Sequence, residues 1–404
     1  MKKIFLVTYG GGHSAIINPI LNEFKNEKIE LVCLALTGAY ESLRHYNEFD
    51  SIQIKKISNY SNLFNQDLSD IKYWGNFIVN TMDKKKIIDL DESILYLGLS
   101  MLELVRLYGS NKAIHLYKEG GRTVFLPEII SKKILKFERP DIVFATNSPR
   151  MEKSIILAAI HLKIKNFQIN DLFGYEAVNI VSKNIIVMND FVKKEIELKR
   201  KCNLYTLGQP ALEVSYNNIR NIDENLLKKN NSLNSEKINI TFFTQQALFK
   251  DENGAVLGLK DNNIIINTYY NLFKKLRKYP QFEIFLRTHP NQDASIYNKL
   301  FKLSKHLNPS MSSYESIKIS DIVIIQDSTI GVEALISNKI VFTFEEEGNL
   351  SPIYKRPPFN YFSNIDDLFN SIINFEKLKS SNSSVINLPL NSAKKIKQLL
   401  INNL

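Results

Sequence analysis

The chain alternates short apolar runs with longer segments in which apolar residues recur at helical spacing. Apolar runs with few polar interruptions indicate strands that are buried on both faces, as in parallel sheets covered by helices. The pattern therefore predicts an α/β fold. The predicted strands cover residues 4–7, 31–36, 142–145, 185–187, 238–243, 282–286, 322–325 and 340–344, and the predicted helices cover 15–26, 154–162, 267–279 and 331–337.

Two segments interrupt this alternation. Residues 59–139 contain no clear strand and have helix-like periodicity, which predicts a helical elaboration of the first lobe. Residues 214–237 become rich in Asn, Lys and Ser before a new strand begins, which is typical of a linker. We therefore predict an N-terminal Rossmann-like lobe over 1–213, a linker over 214–237, a C-terminal Rossmann-like lobe over 238–390 and an amphipathic helix over 391–404, with two parallel sheets facing each other across a cleft.

The composition limits the partners and the location of the protein. Hydrophobic residues make up 44% and charged residues 23%, which excludes general disorder. The excess of 52 Lys and Arg over 42 Asp and Glu leaves a net charge of +10, which favours anionic partners such as nucleotides, acidic glycans and lipid headgroups. Two cysteines favour a cytoplasmic location, and no apolar run approaches the roughly 18 residues of a spanning helix. We expect any membrane contact to be peripheral, on the anionic inner membrane. We do not expect nucleic-acid binding, because the sequence has no module that combines basic and aromatic residues.

A glycine-rich turn follows the first predicted strand, although the whole chain has only 15 glycines. Gly10, Gly11 and Gly12 let backbone N–H groups approach an anionic or sugar ligand at the start of a helix. Ala15 stands where the dinucleotide fingerprint has its third glycine, and no P-loop lysine follows. The next residue, His13, is predicted to act as a base or a donor. The alternative is a purely structural turn with a capping histidine.

A second polar group follows the strand at 282–286. Pro290 holds the preceding residue, His289, in an extended conformation, so that Arg287 and His289 project from the carboxyl edge of the sheet. Arginine and histidine at this edge suit a phosphate or a carboxylate. Taken alone, a His-Pro dipeptide is also consistent with an ordinary turn.

A third polar group begins at Gln326, where the strand at 322–325 ends. Ser328 and Thr329 can cap the next helix while they turn hydroxyl and N–H groups towards a phosphate. Glu333 lies in the first turns of that helix and can hold a sugar or ribose hydroxyl. The alternative is an ordinary N-cap with an acidic residue that complements the helix dipole.

Together these motifs resemble the GT-B superfamily of nucleotide-sugar glycosyltransferases and UDP-N-acetylglucosamine 2-epimerases. The resemblance also includes Gly208-Gln209-Pro210 at the end of the first lobe and covers most of the chain outside 59–139. It implies two Rossmann-like lobes, a nucleotide in the C-terminal lobe and an acceptor in the N-terminal lobe.

Within that superfamily, the His-Pro and Ser-Thr motifs look most like bacterial transferases of CMP-activated sialic acid or Kdo. The resemblance implies that His289 contacts the donor phosphate, with Arg287 and Pro290 beside it. The nucleotide pocket would further include Thr244, Gln245, Gln246, Gln326, Ser328, Thr329 and Glu333. The glycine-rich turn instead looks like the UDP-dependent N-acetylglucosaminyltransferase of peptidoglycan synthesis, so a UDP-sugar donor stays an alternative.

Membership of the epimerase family is the second hypothesis for the function. It predicts an acidic residue directly after the strand at 142–145, where this chain has Thr146-Asn147-Ser148, and two consecutive acids at the last motif, where only Glu333 is acidic. Epimerisation needs carboxylates that shuttle a proton, so both departures favour transfer. A non-catalytic protein that binds a glycan or a nucleotide is the alternative of another class.

The predicted function is therefore a glycosyltransferase of bacterial surface polysaccharide synthesis, such as capsule or lipopolysaccharide. It would move a nonulosonic acid from a CMP-sugar to a glycan or lipid-linked acceptor. His13 and Asp171 are the candidate bases, His289 assists the leaving group, and Asn147 joins the glycine-rich turn in binding the acceptor or sugar. No Asp-x-Asp motif stands out, so we expect a metal-independent reaction that needs no cofactor besides the nucleotide-sugar co-substrate.

Overall fold

A computed structural model of the chain describes residues 1–82, 87–173, 179–244, 248–250, 256–259, 262–289, 292–308, 310–326, 328–345, 352–376 and 387–404. The chain divides into two compact units. Unit 1 contains Met1–Ala211 and Pro389–Leu404, and unit 2 contains Leu212–Leu388. Each unit is described by itself.

Unit 1 is built on a parallel sheet. Its strands are β1 (Lys3–Thr8), β2 (Glu30–Ala35), β3 (Ile52–Lys55), β4 (Ile142–Ala145), β5 (Lys165–Ile169), β6 (Asn184–Val187) and β7 (Asn203–Thr206). In the described residues they form one seven-stranded sheet in the order β3-β2-β1-β4-β5-β6-β7, and every neighbouring pair is parallel.

Helices cover both faces of this sheet. They are α1 (Gly12–Phe24), α2 (Ala39–Leu43), α3 (Leu68–Val79), α4 (Leu90–Tyr108), α5 (Ser110–Gly120), α6 (Glu128–Glu138), α7 (Met151–His161) and α8 (Asp190–Glu197). The next helix, α9 (Pro210–Asn221), begins at the end of unit 1 and lies mostly in unit 2. Side chains of a strand point alternately to opposite faces, so Phe5 and Val7 of β1 enter one hydrophobic core and Ile4 and Leu6 enter another. This two-sided burial is why the strand sequence is continuously apolar.

Residues 59–139 form the predicted helical elaboration, within the part that the structure describes. The helices α3 and α4 cross closely because both carry a glycine at the contact. A Cβ on Gly75 would lie 2.1 Å from the carbonyl oxygen of Ile94, and one on Gly98 would lie 1.9 Å from that of Ile71. Larger residues at these two positions would force the helices apart. Short 3-10 helices at Ile57–Leu63, Asn65–Asp67 and Gly121–Val124 complete the insertion.

Unit 2 repeats the parallel-sheet design. Its strands are β8 (Ile238–Phe243), β9 (Leu248–Lys250), β10 (Val256–Leu259), β11 (Phe282–Arg287), β12 (Lys305–His306), β13 (Ile322–Ile325), β14 (Ile340–Phe344) and β15 (Asn360–Phe362). The parallel sheet has the order β12-β11-β8-β13-β14-β15, and β9 and β10 pair separately as an antiparallel hairpin. Its helices are α10 (Glu224–Asn230), α11 (Asn262–Leu276), α12 (Asn298–Phe301), α13 (Ser313–Ile319), α14 (Ile330–Ile336) and α15 (Ile365–Ile373).

The segment predicted as a linker differs from that expectation. Residues 214–237 contain most of α9 and all of α10, and the division between the units falls earlier, between Ala211 and Leu212. The polar composition reflects helices with a solvated face, since Leu212 and Ile219 of α9 are buried while the residues between them are mostly exposed or half-buried.

The predicted C-terminal amphipathic helix is present as α16 (Ser392–Ile401). It returns to unit 1, where it packs against α1 and buries Ile396 and Leu400 in the core. Lys397 pairs with Glu27, three residues beyond the end of α1, at 2.9 Å. The apolar face of this helix is therefore occupied by the protein itself.

Candidate functional site

In unit 1, two turns meet at the carboxyl edge of the sheet. The strands β1 and β4 are neighbours, so the turn that leads into α1 and the turn that leads into α7 lie side by side. Gly11 precedes α1 with a φ of 71°, a left-handed value that glycine adopts without strain. A Cβ on Gly10 would lie 3.2 Å from the backbone nitrogen of Ala39, so this turn also passes close to the start of α2.

These turns bring together His13, Thr146 and Glu152. The hydroxyl of Thr146 contacts both Nδ1 of His13 and Oε2 of Glu152. Nδ1 of His13 lies 3.6 Å from Oε2 of Glu152. The side chain of Glu152 is 0% exposed, whereas that of His13 is 24% exposed. The arrangement therefore places a reachable imidazole against an enclosed carboxylate.

Backbone groups hold Glu152 in this position. The N–H of Tyr9 donates to Oε1 at 2.9 Å, and the N–H of Ser148 donates to Oε2 at 3.0 Å. Complete burial raises the pKa of Glu152, and the negative charge of Asp171 raises it further. The nearby His13 and these hydrogen bonds favour the charged form and lower the pKa. The carboxylate is thus coupled to the imidazole and to the turn.

Sequence analysis missed Glu152. The expectation that Thr146-Asn147-Ser148 leaves this edge without a carboxylate is wrong. The carboxylate comes from the first turn of α7 and reaches back to the end of β4. The available signal was an acidic residue in the first turn of a helix directly after a central strand, which also has the ordinary meaning of complementing the helix dipole.

The predicted base Asp171 and the predicted ligand Asn147 lie at the same edge, after β5 and β4. The N–H of Asp171 donates to Oδ1 of Asn147 at 3.3 Å, and Nε2 of Gln209 donates to the carbonyl of Asp171 at 3.2 Å. The neighbouring Gly208 has a φ of 91°, and a Cβ there would lie 2.4 Å from the carbonyl oxygen of Pro389. The Gly208-Gln209-Pro210 motif therefore ties the Asp171 loop to the returning C-terminal segment.

Unit 2 presents a second polar edge, where β8 and β11 end. The N–H of Thr244 donates to the carbonyl of Arg287 at 2.9 Å, and the N–H of His289 donates to Oγ1 of Thr244 at 3.2 Å. Oγ1 of Thr244 in turn donates to Oε1 of Gln292 at 2.7 Å. The structure thus brings Thr244, Arg287 and His289 together, while Gln245, Gln246 and Pro290 lie outside the described residues.

Arg287 supplies positive charge at this edge. Burial lowers the pKa of Arg287, while the negative charge of Glu315 acts in the opposite direction. The pKa of His306 is lowered by burial and by the charge of Arg287. The edge is therefore a partly desolvated region that favours an anion.

The third predicted group lies at the end of β13. Gln326 is buried, and Oγ of Ser328 accepts the N–H of Ile330 at 3.4 Å. Thr329 occupies the N-cap position of α14, but its side chain makes no capping hydrogen bond. Oε1 of Glu333 accepts a hydrogen bond from the hydroxyl of Ser215 at 2.9 Å, and burial raises the pKa of Glu333.

Metal-binding clusters and membrane-spanning helices are both absent from the described residues. In these residues no group of three or more His, Cys, Asp or Glu side chains is placed to hold a metal ion. Likewise, no helix in the described part of the chain has the length and apolar character that crossing a membrane requires.

Comparisons with known proteins identify the fold. No family model and no curated protein sequence matches the chain. Among solved structures, it is similar to UDP-GlcNAc 2-epimerase from Neisseria meningitidis bound to UDP-GlcNAc, with a TM-score of 0.55, 13% identity, and coverage of 99% of this chain and 100% of that one. The UDP-GlcNAc 2-epimerase from Methanocaldococcus jannaschii in complex with UDP-GlcNAc and UDP has a TM-score of 0.55 and 12% identity, with 99% of both chains covered.

A glycosyltransferase is similar to the same degree. The glycosyltransferase of kitacinnamycin has a TM-score of 0.54 and 9% identity, and the match covers 100% of this chain and 99% of that one. At these identities the likeness shows the fold. The predicted fold of two parallel-sheet Rossmann-like lobes with a helical insertion, of the GT-B type, is confirmed.

Proposed function

We propose that the protein is a nucleotide-sugar-dependent glycosyltransferase in which His13 is the general base. The observation that carries this proposal is the contact of a solvent-reachable imidazole with the enclosed Glu152 carboxylate, directly and through Thr146. A base of this kind removes the proton of an acceptor hydroxyl as the hydroxyl attacks.

The hydrogen bonds indicate which nitrogen is basic. If the Thr146 hydroxyl donates to Glu152, it accepts from Nδ1–H of His13, and Nε2 keeps the lone pair. The acceptor oxygen then forms a bond to the anomeric carbon of the donor while the bond from that carbon to the nucleotide phosphate oxygen breaks. The hydroxyl proton passes to Nε2, and Glu152 stabilises the imidazolium that results.

Epimerisation is the second candidate, because a carboxylate does serve this edge after all. An epimerase must remove a proton from a sugar carbon with a group that touches that carbon. The side chain of Glu152 is 0% exposed and contacts His13, Thr146 and backbone N–H groups instead of open space. This enclosure favours a supporting role for Glu152, and therefore transfer.

For the donor, we retain a CMP-linked nonulosonic acid such as sialic acid or Kdo. Its support is the resemblance carried by His289, Ser328 and Thr329, together with the positive charge of Arg287 at the same unit. The acceptor would be a glycan or lipid-linked glycan of a bacterial surface polysaccharide, and the low cysteine content supports a cytoplasmic reaction.

A thermal-shift screen of the full chain against CMP, CDP and UDP tests the donor. We expect the largest stabilisation from CMP, because a ligand that binds only the folded state raises the melting temperature. Stabilisation by UDP alone would replace the CMP-sugar with a UDP-sugar, and no response to any nucleotide would favour a non-catalytic protein.

Turnover of the stabilising nucleotide-sugar then tests the base. We expect His13→Gln to lower kcat by about 10²–10⁴-fold, the range for loss of a general base. His115→Gln is a matched control, since His115 is an exposed histidine of α5 whose only ion pair in the described residues is with Glu119. Uptake of solvent deuterium at a sugar carbon of UDP-GlcNAc, with no transfer, would establish the epimerase alternative.

A further inference from the structure

Tyr9 lies between the two turns of the His13 site and has no assigned part in the proposed reaction. It directly follows β1 and precedes the glycine-rich turn, so it stands four residues before His13 in the chain. Tyr9 is only 6% exposed, and its side chain is therefore not placed to hold a substrate. What it does for the site depends on the residues that it contacts.

Tyr9 fixes the start of α7. Its N–H donates to Oε1 of Glu152 at 2.9 Å, and its hydroxyl accepts the N–H of Met151, the first residue of α7, at 3.4 Å. The guanidinium carbon of Arg150 lies 4.3 Å from the centre of the Tyr9 ring, which is within the range of a cation–π interaction. Arg150 occupies the N-cap position but makes no side-chain capping hydrogen bond, so the Tyr9 hydroxyl satisfies an N–H that the helix itself cannot. Tyr9 thus contacts three consecutive residues, of which Glu152 is the last.

The helical insertion holds Tyr9 in turn. The hydroxyl of Tyr96 in α4 contacts the hydroxyl of Tyr9, and the two rings meet edge to face with their centres 5.8 Å apart. Tyr96 is 2% exposed, and burial raises its pKa to about 12, so the phenol keeps its proton in the neutral range. Gly98, two residues further along α4, packs this helix closely against α3. The insertion therefore determines where the Tyr9 ring lies.

The position of Tyr9 affects both members of the proposed acid–base pair. The backbone of Tyr9 binds Glu152 and continues directly into the turn that carries His13. A displaced Tyr9 would therefore change the distance between Nδ1 of His13 and Oε2 of Glu152, which is 3.6 Å. The attraction between an imidazolium and a carboxylate falls as this distance grows.

We propose that Tyr96 is a positioning residue for the His13–Glu152 pair and acts through Tyr9. The helical insertion then contributes to catalysis without contacting the substrate at this point. The effect on catalysis rests on the proposed function, whereas the effect on the His13 imidazole does not. The two effects are therefore measured separately.

NMR titration of the histidine ring signals in the full chain, without substrate, tests the effect on the imidazole. The His13 signal is the one that disappears in His13→Gln. In Tyr96→Phe the carboxylate is held less firmly and stabilises the imidazolium less, so the midpoint of the His13 titration should move to lower pH by about 0.5 unit. Glu152→Gln should move it further in the same direction. The neighbouring charges of Arg150 and Asp171 are unchanged in both variants.

Tyr60→Phe is the matched control, because it also removes a buried phenol hydroxyl from the helical insertion. Tyr60 is 0% exposed, and its hydroxyl donates to Oε1 of Glu138 at 2.8 Å. Glu138 pairs with Lys3 at the start of β1, whereas His13 follows the end of that strand. The control should lower the free energy of unfolding and leave the His13 midpoint unchanged, which separates positioning from a general loosening of the insertion.

Steady-state kinetics extend the test to catalysis. Tyr96→Phe should lower kcat by about 3- to 10-fold, the equivalent of one hydrogen bond, and leave the KM for the nucleotide-sugar within about twofold. Added to Glu152→Gln, the same substitution should lower kcat by less than about twofold, because the group through which Tyr96 acts is already absent. A purely structural role for Tyr96 would give the same factor in both backgrounds.

The inference is overturned if the His13 midpoint in Tyr96→Phe equals that of the wild type, or if Tyr60→Phe moves it equally far. Equal losses of kcat in the wild-type and Glu152→Gln backgrounds would also overturn it. If no nucleotide-sugar is turned over but the midpoint moves as expected, the proposed function fails and the positioning contact stands. Tyr9→Phe removes the other hydroxyl of the same contact, should shift the midpoint in the same direction, and replaces Tyr96→Phe if that variant does not fold.

Discussion

Each unit places a glutamate in the first turn of the helix that follows a central strand: Glu152 after β4 in unit 1 and Glu333 after β13 in unit 2. Burial raises the pKa of both carboxyl groups. Their partners differ, because Glu152 meets the imidazole of His13 and Glu333 meets the hydroxyl of Ser215.

In the proposed reaction, this difference gives the same fold position two different chemistries. A carboxylate against an imidazole stabilises the imidazolium and so supports proton transfer. A carboxylate against a hydroxyl accepts a hydrogen bond and moves no proton at neutral pH. The rest of each edge agrees with this division, since unit 1 has an enclosed acid beside a reachable imidazole, whereas unit 2 has Arg287 and the Thr244–His289 contact.

The largest expected effect separates the two glutamates in catalysis. Glu152→Gln should lower kcat by about 10- to 100-fold, the range for a partner that orients a reactive group. Glu333→Gln should lower kcat by less than about tenfold and act mainly on the KM for the donor. Steady-state kinetics with the stabilising nucleotide-sugar measure both values.

The pH profile of kcat should also change in Glu152→Gln, because the amide no longer stabilises the imidazolium of His13. A purely structural effect of the substitution would lower kcat without moving the profile. Equal losses of kcat in the two variants would remove the contrast between the units.

The second effect tests the helical insertion, which belongs to unit 1 alone in the described residues. Gly98→Ala places a Cβ against the backbone carbonyl of Ile71 and should lower the free energy of unfolding by about 1–3 kcal/mol. In unit 2, Gly331→Ala meets the end of the Ile325 side chain, 2.3 Å away, which can rotate. Gly331→Ala should therefore lower the free energy of unfolding by less than Gly98→Ala does.

Chemical denaturation measures both glycine variants. A larger destabilisation by Gly331→Ala would contradict the packing described for α3 and α4.

The third effect concerns stability against pH. A carboxyl group whose pKa is raised by folding binds more protons in the folded state, so the free energy of unfolding falls as pH rises. The fall begins near the ordinary glutamate value of 4.5 and ends above the raised pKa of Glu152. Its slope is limited to about 1.4 kcal/mol per pH unit for one proton.

Glu152→Gln cannot titrate at this position and should flatten that part of the profile, and Glu333→Gln should flatten it for the same reason in unit 2. Urea denaturation at pH values between 4 and 8, in steps of roughly one unit, measures how the free energy of unfolding changes with pH. An unchanged slope in both variants would show that neither glutamate is proton-linked to folding.

The smallest effect lies at the edge of unit 2. Thr244→Val removes the oxygen that accepts the N–H of His289, and the loss of one neutral hydrogen bond should weaken nucleotide binding by about fivefold. Thr206→Val removes a threonine hydroxyl that contacts Asp190 in unit 1 and should leave nucleotide affinity unchanged. Equal effects of the two substitutions on nucleotide affinity would show that Thr244 has no specific role in nucleotide binding.

Much of the fold could be predicted because interior parallel strands are continuously apolar. All eight predicted strands are present, as are the four predicted helices, with shifted ends. The strands that were not predicted include β3, β7, β12 and β15, which lie at the edges of the two sheets. An edge strand is partly solvated and alternates apolar with polar residues over only a few positions, as in Ile52–Lys55, so its pattern is weak.

The sequence by itself determined the two α/β units, the glycine-rich turn before His13 and the polar groups that follow β8, β11 and β13, because these depend on local periodicity and on the order of strands. The tertiary structure decided which distant residues and segments contact each other. Glu152 reaches His13 across 139 residues, α16 returns to unit 1, and the helical insertion brings the hydroxyl of Tyr96 to that of Tyr9. Contacts between distant segments depend on how the strands align and how the helices pack, and no local pattern of residues records them.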